Sequence, residues 1–126
     1  MTLLADCEFG PLPPSVNHLW RTNGRAVYKT ADAKKWQKHA AVQINADMRR
    51  RGIFKPYSGK VMVTLYLFTK TERRMDIDNR VKATLDCLAP AGAIVDDSQV
   101  WKLETQRIIS KYGANYIRLI VQTLED

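Results

Sequence analysis

Apolar and polar residues follow one another along the chain in patterns that predict a sequence of strands and helices. Leu3–Phe9 is a short apolar run that predicts a first strand. The run Gly10-Pro11-Leu12-Pro13-Pro14 ends that strand, because proline fixes φ and removes a ladder donor. Residues 15–29 show no clean period and are predicted to form a loop.

A long helix is predicted after this loop. Its apolar stripe has a spacing of four residues and consists of Trp36, Ala40, Ile44 and Met48. Three arginines, Arg49-Arg50-Arg51, occupy the predicted last turn, and Gly52 follows as the expected C-terminal residue. The opposite face of this helix carries Lys34, Lys35 and Lys38.

The second half of the chain predicts three more strands and one more helix. Residues 60–70 are apolar on both alternating faces, which is typical of a central strand covered on both sides. Residues 78–88 predict a shorter helix. Val100–Ile109 and Tyr116–Thr123 predict two further strands, joined as a hairpin by residues 111–115.

The predicted fold is a single α+β domain over residues 1–126, in the order β-α-β-α-β-β. We expect a small mixed β-sheet packed with two helices. A chain of 126 residues that is 45% apolar can bury a core without disulfides, which excludes disordered and disulfide-scaffold classes. No apolar run approaches the roughly 18 residues that cross a bilayer, so no membrane is expected.

Two features of the sequence predict a cytoplasmic protein. The N-terminus has no basic segment and meets Asp6 within six residues, unlike a signal peptide. Cys7 and Cys87 are far apart and have no metal-ligand spacing, so we expect them to be reduced and buried.

The positive charge is concentrated in one part of the chain. The whole chain carries +7, but residues 21–82 contain sixteen basic and five acidic groups, which gives +11. The remaining residues contain four basic and eight acidic groups, which gives −4. Such an uneven distribution of charge favours a polyanionic partner, and nucleic acid is the commonest polyanion.

Four aspartates lie within or beside this basic region. Asp76 and Asp78 follow the predicted central strand, and Asp96 and Asp97 precede the third strand. Carboxylates that repel one another are most often placed together to bind a divalent metal, and Mg²⁺ prefers such oxygen ligands. The two pairs converge if the strand Val100–Ile109 lies beside residues 60–70.

A lysine on the predicted second helix adds to this pattern. Lys82 follows Asp78 by four residues and precedes Asp86 by four, so the three lie along one helical stripe. Lys82 is therefore predicted to point toward the carboxylates and to hold or stabilise a scissile phosphate. Asp86 is predicted to orient Lys82.

Each of these residues also has a purely structural interpretation. An aspartate before a helix commonly serves as a cap, and Asp96-Asp97 can be ordinary turn residues. Asp78, Lys82 and Asp86 can form a surface ladder of ion pairs. The coincidence of acids, a helical lysine and two preceding arginines favours catalysis.

Three stretches of the chain resemble the RusA endodeoxyribonucleases, which are Holliday junction resolvases often carried by phages and prophages. They are Pro13-Pro14-Ser15-Val16-Asn17-His18-Leu19-Trp20-Arg21, then Arg73-Arg74-Met75-Asp76-Ile77-Asp78-Asn79-Arg80-Val81-Lys82 with Leu85-Asp86, and Gly92-Ala93-Ile94-Val95-Asp96-Asp97-Ser98-Gln99-Val100. The sequence departs from the family pattern at Glu72 and Met75, where basic residues are common.

The resemblance implies a homodimer that cuts two opposed strands of a four-way DNA junction, with Mg²⁺ or Mn²⁺ and no organic cofactor. It implies that Asp76, Asp78 and Asp97 are the essential metal-binding aspartates and that Lys82 is the catalytic lysine. Asp96 is the possible alternative to Asp97 as the third acid.

The predicted nucleic-acid-binding residues are basic and lie in the loop, the long helix and the approach to the acids: Arg21, Arg25, Lys34, Lys35, Lys38, Arg73 and Arg74. Trp20, in an arginine-flanked loop, is a candidate for stacking on a base. Three other functions stay open at this point. They are a non-catalytic nucleic-acid-binding module, a metal-dependent nuclease that prefers flaps or single strands, and, more weakly, a sugar-nucleotide transferase.

Overall fold

The computed structural model describes residues 1–15, 20–23, 26–29 and 31–125, and within 16–30 it describes the backbone alone. The elements in chain order are β1 (Leu3–Phe9), β2 (Trp20–Asn23), β3 (Ala26–Lys29), α1 (Ala31–Arg50), β4 (Val61–Thr69), α2 (Asp78–Leu85), β5 (Val100–Ile109) and β6 (Tyr116–Thr123). The predicted α+β class and the order of the main elements are confirmed, with one additional hairpin before α1.

The main sheet is mixed and has the strand order β1-β6-β4-β5. Strand β4 is central, as predicted, and pairs antiparallel with β6 and parallel with β5. A parallel pair requires a crossover connection, and here helix α2 lies in the segment that links β4 to β5. The adjacency of β4 and β5, which was the condition for the two pairs of acids to converge, is therefore present.

The prediction of a loop over residues 15–29 is wrong at residues 20–23 and 26–29, which form strands, while residues 16–19 and 24–25 lie outside the described part of the chain. Strands β2 and β3 form an antiparallel hairpin in which Trp20 is opposite Lys29 and Asn23 is opposite Ala26. Two short runs with β-favouring residues, separated by Gly24-Arg25, carry the hairpin signal. The absence of a hydrophobic period concealed it, because two four-residue strands are too short to display one.

The predicted hairpin between the last two strands is also wrong. β5 and β6 do not pair with each other, because β4 lies between them. The hydrogen bond from the Ser110 backbone N–H to the Thr69 carbonyl (2.8 Å) carries the β5 ladder on along β4. The six-residue connection, 110–115, is long enough to cross one intervening strand, so its length did not decide the topology.

The core lies on one face of the main sheet, where both helices pack. The apolar stripe of α1 is buried as predicted, with Trp36 at 6% exposure and Ile44 at 0%. It meets the alternate residues of β4 and β6 that point to the same side, including Leu65 and Leu119. The other face of β4, with Met62, is half-buried rather than enclosed, so the expected two-sided cover is only partial.

The helix ends follow from local residues. Gly52 adopts a φ of 77° just past α1, which is a left-handed conformation that glycine accepts without strain. Helix α2 ends at Leu85, three residues earlier than predicted, and turns continue the chain with Leu88 still buried. In the described part of the chain, neither helix has the length and apolar character needed to cross a membrane.

Both cysteines are buried free thiols, as predicted. Burial, together with the nearby carboxylates of Asp47 and Asp6, raises the pKa of the Cys7 thiol to about 12. Cys87 donates its S–H to the Ala83 carbonyl within the α2 region. The Cys7 thiol is therefore protonated at neutral pH, and both buried cysteines serve packing.

Candidate active site

A cavity of about 760 Å³ opens between helix α2 and strand β5. It brings together four of the residues predicted to be catalytic, namely Asp76, Asp78, Lys82 and Asp97. Asp86 also contributes to its wall. Apolar side chains complete the lining, among them Met75, Ile77, Val81, Leu85 and Leu103. We call this the α2–β5 cavity.

The acids enter the α2–β5 cavity as two groups. Asp76 and Asp78 follow the C-terminal end of β4, whereas Asp97 precedes the N-terminal end of β5. Because β4 and β5 are parallel, these are opposite ends of the strand pair. Helix α2 spans the interval, since its eight residues, Asp78–Leu85, correspond to about 12 Å of helix rise.

Lys82 lies midway along this helix and turns toward the second group. Its Nζ lies 3.5 Å from Asp86 Oδ1, in a pair where the lysine side chain is 53% exposed and the aspartate 15%. The predicted contact between Asp86 and Lys82 is therefore present. It holds the ammonium group at the wall of the cavity, where it also lowers the electrostatic cost of the Asp97 carboxylate.

Asp96 and Asp97 have different environments although they are adjacent. The Asp96 side chain accepts a hydrogen bond from the Ser98 backbone N–H (3.0 Å) and caps the short 3-10 turn Asp97–Gln99. Hydrogen bonding with the Ser98 side chain, and then with the Ser98 backbone N–H, lowers the pKa of Asp96. Asp97 lines the cavity instead. Partial desolvation, and then the negative charges of Asp86 and Asp96, raise the pKa of Asp97.

Gln99 fixes the turn that presents Asp97. Its Nε2 donates to the carbonyls of Tyr57 (2.7 Å) and Gly59 (2.8 Å), just before β4. Its Oε1 accepts from the backbone N–H groups of Val95 (2.7 Å) and Asp96 (2.9 Å). The sequence motif contained this glutamine, but only the structure assigns it this positioning role.

The loop before α2 presents the other two acids. Asp76 and Asp78 are both exposed, and Asn79 Nδ2 donates to Asp76 Oδ2 at 3.3 Å. Asp78 lies in the first turn of α2, where a carboxylate is favoured by the helix dipole. Ile77 occupies the N-cap position without a side-chain cap bond. Asp78 therefore does not act as the N-cap, which was its structural alternative.

The donor set of the α2–β5 cavity suits a hard divalent ion in part. Mg²⁺ binds through one or two carboxylates and keeps several waters, which the exposed pair Asp76 and Asp78 can satisfy. Among the described residues, no three acidic, histidine or cysteine side chains come close enough to form a metal site by themselves. Asp97 therefore faces the same cavity as the pair but does not join it in a three-carboxylate cage.

A second cavity, of about 340 Å³, lies at the C-terminal ends of β4 and β5. It contains the predicted Arg73 and Arg74 and two arginines that sequence reasoning missed, Arg80 and Arg107. Its other lining residues are Leu12, Thr69, Thr71, Met75 and Asn115. We call this the arginine cavity. Arg107 was detectable in principle, because it shares the β5 face of Leu103 and Thr105, which line the neighbouring site.

Comparison with known proteins identifies the family of this fold and site. A family model described as Endodeoxyribonuclease RusA matches residues 11–122, which include every aspartate and lysine of the α2–β5 cavity. The chain belongs to the RusA endodeoxyribonuclease family.

Individual RusA relatives come from phages and bacteria. The chain is 32% identical over 90 residues to a crossover junction endodeoxyribonuclease of Enterobacteria phage 82. The aligned region covers 71% of this chain and 72% of the relative. The chain is 33% identical over 89 residues to one from Enterobacteria phage HK97, at 71% coverage of each chain. A relative from Aquifex aeolicus is 30% identical over 101 residues, at 80% and 76% coverage.

The remaining RusA-like predictions concern the basic residues outside the two cavities. Lys34, Lys35 and Lys38 are exposed on α1, as predicted. Arg21 lies in β2, and its side chain is outside the described part of the structure, as is that of Trp20. Arg25 lies outside the described residues altogether. Their contact with nucleic acid stays a prediction.

Proposed function

We propose that this RusA-family chain is a divalent-metal-dependent endodeoxyribonuclease that resolves four-way DNA junctions. One observation carries the proposal: a single cavity collects Asp76, Asp78, Lys82 and Asp97, with the arginine cavity beside it. Acidic groups attract a cation while the surrounding positive charge attracts the phosphate, and phosphodiester hydrolysis needs both. The relatives are named crossover junction endodeoxyribonucleases, which supports the junction as substrate.

We propose Asp76 and Asp78 as direct ligands of Mg²⁺, for which Mn²⁺ substitutes, and Asp97 as the third acid, which acts on the ion from the other end of the cavity. The ion, when bound, supplies polarisation of the scissile phosphate and lowers the pKa of the attacking water. Asp76 and Asp78 fit such an ion by themselves if it keeps several waters. Asp97 approaches from the opposite end of the cavity.

Lys82 has the role of stabilising negative charge on the phosphate as the bond breaks. An ammonium group at the wall of a cavity offers three N–H donors, and one of them is directed to Asp86 at 3.5 Å. Asp86 therefore limits the rotamers of Lys82 and keeps the remaining donors facing the cavity. A preorganised donor of this kind stabilises the transition state more than the ground state.

We further propose that two copies of the chain act together on one junction as a homodimer. A four-way junction must be cut on two opposed strands to be resolved, and each chain offers one α2–β5 cavity in its described part. Two cavities related by symmetry would place two sites on a substrate that has the same two-fold character.

The test is cleavage of a mobile four-way junction with and without Mg²⁺, beside flap, duplex and single-stranded DNAs of matched sequence. We expect symmetric paired nicks in the junction, only with the metal. Preferential cutting of the flap or the single strand would replace the junction as substrate while leaving the nuclease chemistry in place.

One observation favours a second candidate, a nucleic-acid-binding protein without nuclease activity. The described carboxylates form two groups rather than one metal cage. This alternative predicts salt-sensitive binding of DNA and no nicking of any substrate in Mg²⁺ or Mn²⁺. The same substrate panel therefore separates the two candidates.

A further inference from the structure

We propose that the arginine cavity is a separate seat for one backbone phosphate of the DNA strand that enters the α2–β5 cavity. This inference rests on the proposed function for the identity of the strand. The charge, burial and hydrogen bonds of Arg74, Arg80 and Arg107 support the seat itself.

The arginine cavity has a strong positive charge that no described lining residue neutralises. Four of its nine lining residues are arginines and none is acidic. The side chains of Arg73 and Arg74 form no hydrogen bond or ion pair with the described residues. Four guanidinium groups around one small cavity repel one another, and an anion between them removes that repulsion.

Arg80 is held in the wall with most of its donors unused. It is half-buried, and its Nη1 donates to the Pro13 carbonyl at 2.8 Å. Its Nε is inaccessible to solvent and has no hydrogen-bond partner among the described residues. Burial lowers the pKa of this guanidinium because it has lost part of its hydration. One hydrogen bond to a carbonyl leaves the desolvated charge without a counter-ion.

Arg107, on β5, is fixed in the lining of the arginine cavity by three hydrogen bonds. Its Nε donates to Thr69 Oγ1 (3.0 Å), and its Nη2 donates to the carbonyls of Thr71 (2.8 Å) and Arg73 (2.6 Å). Its Nη1 has no such partner among the described residues. A guanidinium anchored in this way is preorganised for an oxyanion, since its orientation needs no further ordering.

The position of the cavity selects which phosphate it binds. Met75 lines both the arginine cavity and the α2–β5 cavity, so the two cavities adjoin at this residue. A strand with its scissile phosphate at Asp76 and Asp78 therefore brings a neighbouring phosphate to the arginines. Arg107 also holds the carbonyls of the loop that leads to Asp76, so an occupied seat steadies that loop.

The test measures binding without chemistry. Fluorescence anisotropy of junction DNA in EDTA, over a range of salt concentrations, compares wild type with Arg74→Gln, Arg80→Gln and their double variant. Arg50→Gln is the matched control, because it removes the same charge from the last turn of α1, where Arg50 is paired with Asp47 and lines neither cavity.

A plot of log K against the logarithm of the salt concentration has a negative slope. If one phosphate occupies the seat, each single variant reduces the magnitude of this slope by about 0.9. The double variant lowers it no further, because both arginines hold the same phosphate. The control keeps the wild-type slope. Unchanged slopes in the cavity variants, or an equal change in Arg50→Gln, would overturn the proposal. Arg74 bonds to no described residue, so Arg74→Gln remains informative if Arg80→Gln does not fold.

A second measurement separates a backbone phosphate from a free anion. Thermal unfolding in inorganic phosphate is compared with unfolding in chloride at equal ionic strength, for wild type and Arg80→Gln. Stabilisation by phosphate that is lost in Arg80→Gln, together with the DNA slopes above, supports the seat. Phosphate stabilisation with unchanged DNA slopes would mean a free-anion site and would overturn the assignment to DNA.

Neither measurement depends on cleavage. A wild type that cuts no DNA but shows the expected slopes would refute the proposed nuclease and leave the phosphate seat standing.

Discussion

Two kinds of acidic residue in this protein are held in opposite ways. Asp47 is 6% exposed and accepts hydrogen bonds from Arg51 Nε (2.8 Å), Arg50 Nη2 (3.2 Å) and the Asp6 backbone N–H (2.8 Å). Asp76, Asp78 and Asp97 of the α2–β5 cavity are exposed and form no ion pair with an arginine among the described residues. The first kind is neutralised by the fold, and the second is left to attract a cation.

The pKa values of the two kinds of acid are shifted in opposite directions. Burial alone would raise the pKa of Asp47, but the hydrogen bonds and charges of Arg51, Asp6 N–H and Arg50 outweigh it and lower the pKa. For Asp97, desolvation and the charges of Asp86 and Asp96 act together and raise the pKa. The folded protein therefore destabilises the ionised form of Asp97, and a bound cation would remove this destabilisation. The comparison predicts that the first kind supports stability and the second supports activity.

The strongest test of this division uses two adjacent aspartates. Asp97→Asn should lower the rate of junction cleavage by on the order of 10³-fold, because it removes a charge that faces the phosphate and metal. Asp96→Asn should leave the rate nearly unchanged, since asparagine also caps a turn. The measurement that distinguishes the two acids is the single-turnover cleavage rate of each variant. Equal losses would mean that the cavity does not discriminate between the two acids.

Lys82 and Asp86 sharpen the comparison within the cavity. Lys82→Gln should lower the single-turnover rate by about 10²-fold, while Asp86→Asn should cost about tenfold because it acts only through the orientation of Lys82. Junction affinity in EDTA should change little in Asp86→Asn. If Asp86→Asn costs more than Lys82→Gln, Asp86 itself contacts the metal or substrate.

Asp47 tests the other kind of acid. Asp47→Asn should lower the free energy of unfolding by about 1–3 kcal/mol, because two arginines lose their buried charged partner. Cleavage measured well below the unfolding temperature should stay at the wild-type rate. Urea unfolding monitored by tryptophan fluorescence gives the first quantity. A stable variant with reduced cleavage would reverse the assignment.

The smallest expected effect is a dependence of stability on pH. Because the pKa of Asp47 is lower in the folded chain than its ordinary value of 3.8, its ionised form stabilises the fold. This contribution is complete above about pH 5 and declines as the pH falls through 3.8 toward the folded value. Asp47→Asn should therefore have a flatter stability profile between pH 5 and 3 than wild type. Parallel profiles would show that Asp47 does not contribute.

Much of the fold was predictable from the sequence in segments where one hydrophobic period continues over many residues. The stripe from Trp36 to Met48 predicted α1, and residues 60–70 predicted the central strand. The hairpin β2–β3 was missed because four-residue strands are too short for a period. The separation of β5 from β6 was missed because pairing depends on tertiary contacts across β4, which no local pattern encodes.

The candidate site was predictable in its members but not in its arrangement. The motifs named Asp76, Asp78, Lys82 and Asp97, and the structure brings all four to one cavity. The sequence could not reveal that parallel pairing of β4 and β5 separates the acids into two groups. It also could not distinguish Asp96 from Asp97, because the capping role of Asp96 depends on the path of the turn around Gln99.

The most direct measurement compares Asp78→Asn with wild type on a mobile four-way junction, with and without Mg²⁺. We expect wild type to make paired nicks only with Mg²⁺. We expect Asp78→Asn to fold normally, to bind the junction at least as tightly, and to make no nicks. Cleavage by Asp78→Asn at the wild-type rate in Mg²⁺ would contradict the assignment of the α2–β5 cavity as the active site.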